Sequence, residues 1–107
     1  MPTGSLDLKL VRRGLQRHEG LMRRAGVEKL TFAGSVARGT GTAFSDVDLI
    51  ATFRDGLDMR NLRDLLKLTI LEGHLSHAIG RSVDILPDNF LAPHIRAMTS
   101  RDAVQVF

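Results

Sequence analysis

Residues 33 to 50 read Ala33-Gly34-Ser35-Val36-Ala37-Arg38-Gly39-Thr40-Gly41-Thr42-Ala43-Phe44-Ser45-Asp46-Val47-Asp48-Leu49-Ile50. A turn of small residues leads, ten residues after the Gly34–Ser35 pair, to two carboxylates that alternate with apolar side chains. From Asp46 to Phe53 the alternation has the period of a strand. Val47, Leu49, Ala51 and Phe53 take one face, and Asp46, Asp48, Ile50 and Thr52 the other. Acids in so apolar a strand are costly unless they are paired or hold a cation. Two residues apart, Asp46 and Asp48 project from one face with Cα atoms ~6.5 to 7 Å apart, which lets both reach a shared ion.

Reading outward, Leu8, Val11, Leu15 and Met22 recur at helical spacing, so residues 5 to 25 are expected to form one amphipathic helix. Ser5 serves as its N-cap and Gly26 as its terminating glycine. Val27 to Ala33 reads as a strand with Leu30 and Phe32 on a common face. Ser35 to Arg38 is expected to be a short helix. Asp58 is expected to cap a long helix running to about Ile79, and that helix carries two apolar stripes. One is Leu62, Leu65, Leu66, Thr69, Ile70 and Gly73; the other is Leu68, Leu71, Leu75 and Ile79. A lone surface helix needs one stripe, so the second meets either another helix of the domain or a partner chain, a homo-oligomer included. Gly80 ends the helix. Arg81 to Leu86 reads as a strand stopped by Pro87, Asn89 to Met98 as a short helix, and Ala103 to Phe107 as a terminal strand. The fold class is α/β (α+β): helices packed on a small sheet, one domain over residues 1–107.

The third strand places Asp84 between Val83 and Ile85 with the same alternation. If the two strands are neighbours in register, Asp46, Asp48 and Asp84 share one patch. Carboxylates so gathered raise each other's pKa, and a cation reverses that cost. Hard ions such as Mg²⁺ take oxygen ligands from one or two carboxylates plus substrate phosphates. A two-metal site ~3.5 to 4 Å across stabilises both oxygens of an in-line phosphoryl displacement. Gly34 lets a phosphate approach the backbone, Ser35 adds a hydroxyl, and the N–H groups of the helix behind them face the same point. Arg38 offers a guanidinium fork to phosphate oxygens. These residues suggest a metal-dependent enzyme acting on a nucleoside triphosphate. Gly39-Thr40-Gly41 lacks the Lys-Ser or Lys-Thr of a P-loop and reads as a loop over the nucleotide. His74 and His77 form either a polar helix flank or a metal pair.

Composition narrows the remaining classes. The chain has 107 residues, 43% of them hydrophobic, enough for one core and no second substrate domain. It has no cysteine, which excludes disulfides and thiolate zinc sites and suits a reducing compartment. No apolar run reaches the ~20 residues of a membrane span, and charges interrupt the N-terminal stretch where a signal peptide would be apolar. A cytoplasmic location is expected. Twelve of the fifteen basic residues are arginine, five of them at Arg12, Arg13, Arg17, Arg23 and Arg24. Such a run is either a solvated helix face or an attractor for phosphate or an acidic partner. The absence of Trp and Tyr argues against direct nucleic-acid binding by base stacking.

Taken together, Gly34-Ser35, ten intervening residues, Asp46-Val47-Asp48 and the later Arg81-Ser82-Val83-Asp84-Ile85-Leu86 resemble the minimal nucleotidyltransferases of the DNA polymerase beta superfamily. In particular they resemble the small antitoxin paired with a HEPN-domain toxin. The likeness runs from the leading helix to Val104-Gln105-Val106-Phe107. It implies a mixed sheet, Gly34 and Ser35 at the triphosphate, Asp46 and Asp48 as metal ligands and Asp84 as third carboxylate. It also implies Mg²⁺-dependent transfer of AMP from ATP to a hydroxyl, a tyrosine, of a HEPN-type toxin. Two rivals remain: an antitoxin that acts by occlusion without catalysis, and a nucleotidyltransferase for a small molecule.

Overall fold

Val27–Phe32 (β1) and Val47–Phe53 (β2) form an antiparallel pair at the centre of a four-stranded mixed sheet. They belong to a computed structural model that describes residues 8–33, 46–93 and 104–107. Val83–Pro87 (β3) joins β2 in parallel, and Val104–Gln105 (β4) joins β1 antiparallel, giving the order β3-β2-β1-β4. The helices are Leu8–Gln16 (α1), Glu19–Arg24 (α2) and Leu62–Ile79 (α3), with a 3₁₀ turn at Asp88–Phe90. The long α3 supplies the crossover that a parallel β2–β3 pair requires.

The core lies between the helices and one face of the sheet. Val11, Leu15 and Met22 from α1 and α2, and Leu68, Leu71 and Leu75 from α3, cluster with Leu30, Phe32, Val47, Leu49, Ala51, Phe53, Val83, Ile85 and Val106. In β2 the expected core face holds: Val47, Leu49, Ala51 and Phe53 are buried, while on the other face Asp48 and Thr52 are partly exposed and Ile50 is buried. In β1 the phase breaks. A bulge between Val27 and Lys29 puts two residues opposite one, so Val27 and Leu30 both enter the core although they are three apart.

Four expectations need correction. Residues 5 to 25 are not one helix: among the described residues the chain breaks at Arg17 and His18. The His18 N–H bonds to the Leu15 carbonyl three residues back, and His18 adopts φ −104°, ψ 14° before the helix restarts. The turn lets α1 pack along α3 while α2 settles on β1; His18 and Gly20, both weak helix formers, sit at the joint. Asp58 does not cap α3. Asn61 does, its side-chain oxygen accepting from the N–H groups of Arg63 and Asp64 at 2.9 and 3.4 Å. Asp58 shapes the turn before it, with its N–H donated to the Asp64 carboxylate and its own carboxylate accepting from the Arg60 N–H. That backbone hydrogen bond, chiefly, holds the Asp58 carboxyl below the usual range.

Pro87, expected to stop β3, is its last residue and is buried. Its missing N–H would have pointed to the outer edge, where nothing is lost. Asn89 to Met98 is not one helix, because the 3₁₀ turn ends with Leu91 in an extended conformation. Residues 94–98, the expected short helix at Ser35 to Arg38, and Ala103 lie outside the described residues. Gly26 and Gly80 end α2 and α3 as expected, at φ 99° and 69°, where an L side chain is strained. Among the described residues no helix is long and apolar enough to cross a membrane.

Candidate active site

The face of the sheet turned away from the core carries the acids. Asp48 in β2 and Asp84 in β3 are direct register partners, which sets their Cα atoms about 4.8 Å apart, the spacing of neighbouring strands. Because the strands are parallel and share phase, both side chains leave the same face. Asp48 is half-buried and Asp84 exposed. Asp46 was expected inside the strand but lies one residue before it, exposed. Burial, then the charges of Asp84 and Asp46, pushes the Asp48 carboxyl above its ordinary value. The three acids therefore act on one another electrostatically.

Local contacts fix this end of the sheet. The Val47 N–H donates to the Ser82 carbonyl at 2.8 Å, joining the starts of β2 and β3. The Ala33 N–H donates to the Asp48 carbonyl at 2.9 Å, so the last described residue after β1 sits beside Asp48. Gly34, Ser35 and Arg38 lie outside the described residues, as does the Gly39-Thr40-Gly41 loop.

Two residues that the sequence reading passed over hold the third acid in place. The outward N–H groups of β3, an edge strand, are Val83 and Ile85. Val83 donates to Ser76 Oγ at 2.9 Å and Ile85 to Glu72 Oε2 at 2.8 Å, both from α3. Pro87 takes the next outward position and has no N–H to satisfy. Glu72 and Ser76 are four apart, each directly after a core leucine (Leu71, Leu75). A polar stripe running beside the buried one was the signal available.

An all-carboxylate donor set suits a hard oxygen-seeking cation such as Mg²⁺, and the raised Asp48 pKa is what burial first, and neighbouring like charges second, produce where no cation offsets them. Among the described residues no three His, Asp or Glu side chains close on a single point. Asp48 and Asp84 are thus the two expected site acids that the described structure sets side by side. The His74 ring meets His18 edge-on, with centroids 5.3 Å apart.

Comparison with known proteins agrees with this layout. The nucleotidyltransferase domain model matches residues 10–105. A candidate protein adenylyltransferase of Methanocaldococcus jannaschii is 29% identical over 86 residues, 80% of this chain and 86% of that protein. A solved structure described as a candidate minimal nucleotidyltransferase is 32% identical, covers 92% of this chain and 95% of its own, and superposes with a TM-score of 0.75. The complex of a tri-AMPylated Shewanella oneidensis HEPN toxin with an MNT antitoxin matches at TM-score 0.65 and 16% identity, over 94% of this chain and 72% of that one, a likeness of fold. The chain therefore belongs to the nucleotidyltransferase domain family and is a minimal nucleotidyltransferase of the DNA polymerase beta superfamily.

Proposed function

We propose that this chain transfers AMP from ATP to a hydroxyl, a tyrosine, of a HEPN-type toxin and so acts as its antitoxin. One observation carries the reading: Asp48 and Asp84 stand side by side on adjacent parallel strands, with Asp46 near enough to raise the Asp48 pKa. The resemblance to a toxin–antitoxin complex whose toxin is AMPylated, and to an antitoxin complex with AMP-PNP, supports the choice of nucleotide and partner.

In this reading Asp46, Asp48 and Asp84 hold Mg²⁺, and Gly34, Ser35 and Arg38 receive the triphosphate. When bound, the cation offsets the negative charge on the transferring phosphoryl group and on the leaving oxygen. The acceptor oxygen forms a bond to the α-phosphorus, and the bond from that phosphorus to the bridging oxygen breaks. Pyrophosphate departs, and the hydroxyl proton passes to Asp84, whose exposure leaves it open to solvent exchange.

The test is transfer of label from α-labelled ATP, with Mg²⁺, to a HEPN-type protein that co-purifies with this chain. The parent should label it, and Asp46→Asn with Asp48→Asn should abolish labelling. Labelling that survives both changes removes the catalytic assignment. Protection of cells that survives while labelling is lost assigns the antitoxin effect to occlusion.

A further inference from the structure

The stripe of α3 that begins at Leu62 is left largely exposed, while the one holding Leu68, Leu71 and Leu75 enters the core. Leu62, Leu66 and Ile70 are 69%, 51% and 68% exposed. With His74 they repeat every four residues along one side of α3, a run of about 18 Å. Across from them stand Leu21 of α2 and Ala25 at its C-terminal cap, and the two helices enclose a groove of about 690 Å³. Apolar surface of this extent on a small domain marks an interaction site.

Its charges have one sign. Arg63, Lys67 and His74 line the groove, and no described Asp or Glu does. The neighbouring Asp64 is turned away to accept the Asp58 N–H. Lys67 is held at the rim, with its ammonium 6.0 Å from the centre of the Phe53 ring. His74, with His18 edge-on against it, marks one end.

We infer that this groove is a docking site for an amphipathic helix of a partner protein, with apolar anchors at i, i+3, i+4 and i+7 and acidic residues on its flanks. Three features choose that occupant. Its exposed apolar positions Leu62, Leu66 and Ile70 recur every four residues along one helix face, the spacing that the anchors of a docked helix meet. The basic rim complements acidic flanks and speeds their encounter. A second copy of this chain fits poorly, since a twofold contact needs a self-complementary surface, and here a groove would face a groove of like charge. The groove lies on the helical side of the molecule, away from the sheet face of Asp48 and Asp84, so docking there anchors a partner without contacting those acids. The inference stands whether or not the transfer reaction is as proposed.

Three labelled helical peptides about five turns long test it. They share one leucine pattern and differ only in flanking residues: glutamate, glutamine or lysine. Fluorescence polarisation against the full chain should rank them glutamate, glutamine, lysine, with about tenfold between the extremes. Ile70→Glu should abolish binding of all three, and Arg63→Glu with Lys67→Glu should invert the order; these positions are exposed, and circular dichroism confirms that each variant folds. Failure of the acidic peptide to bind, binding indifferent to flank charge, or binding that survives Ile70→Glu overturns the inference. So does self-association of the chain by sedimentation, or adsorption to phosphatidylglycerol vesicles, that Ile70→Glu removes: these assign the groove to a second copy or to a membrane.

Discussion

Asp48 is where stability and chemistry pull in opposite directions. Its carboxyl is raised by burial and by the charges of Asp84 and Asp46, so in the metal-free protein its ionised form is disfavoured by the fold. The native state then holds the proton more tightly than the unfolded chain does. Stability from this group is present below the unfolded pKa near 3.8 and is lost as pH rises through the higher folded value. Asn cannot ionise, so Asp48→Asn should melt a few degrees above the parent at pH 7.5 in chelator. The gain should shrink as pH falls and be nearly gone by about pH 3, below the ordinary carboxylate value of 3.8. Calorimetry at the two pH values checks this, and a variant no more stable than the parent at pH 7.5 would contradict it. The same substitution should abolish nucleotide transfer, as expected where a site is kept at some cost to the fold. Asp48 and Asp84 were legible in the sequence because each interrupts a run of Val, Leu and Ile; their pairing needed the register, which no local pattern carries.

Among the secondary-structure elements, those whose burial follows a simple period were readable and those decided by side-chain capping were not. The β2 alternation and both faces of α3 follow from spacing alone. The start of α3 did not, because Asp58 and Asn61 are equally good cap residues, and the choice fell to the Asp64 carboxylate reaching back to the Asp58 N–H. The β1 bulge was equally hidden, since Val27 is out of phase with Leu30 and Phe32. Edge strand β3 depends on α3 in the same unseen way. Removing the Ile85 partner with Glu72→Ala should cost about 1 kcal/mol, the value of a hydrogen bond at a partly buried edge, and should speed amide exchange at Ile85. Glu72→Gln keeps an oxygen that can accept this bond and should stay close to the parent. Urea denaturation and hydrogen exchange of the pair decide it. If Ala and Gln behave alike, the Glu72 contact does not support the strand that carries Asp84.

At the scale of the whole molecule, the domain is two layers with different duties: helices and core on one side, acids on the other. The sheet between them is closed at one edge by the last residues of the chain. The Leu30 N–H donates to the Phe107 carbonyl and the Val106 N–H to the Leu30 carbonyl. Gln16 of α1 reaches the Val106 carbonyl at 2.9 Å, and the Arg23 guanidinium of α2 lies 4.8 Å from the centre of the Phe107 ring. Val106 itself is fully buried against Leu30 and Phe32. Four residues thus tie β1, α1 and α2 together, although they are distant from all three in sequence. Deleting 104–107 forfeits the burial of Val106, about 1.5 to 3 kcal/mol, and leaves the Leu30 peptide groups without partners, about 1 to 3 kcal/mol more. Against the 5 to 15 kcal/mol of a typical domain, that loss, roughly 3 to 6 kcal/mol, is enough to unfold a marginal one near physiological temperature. The truncated chain should lose its cooperative thermal transition or melt more than about 10 °C lower. Gln105→Ala, at an exposed position within β4, should melt with the parent. A truncation that melts within a few degrees of the full chain would mean that β1 holds the core without its edge partner.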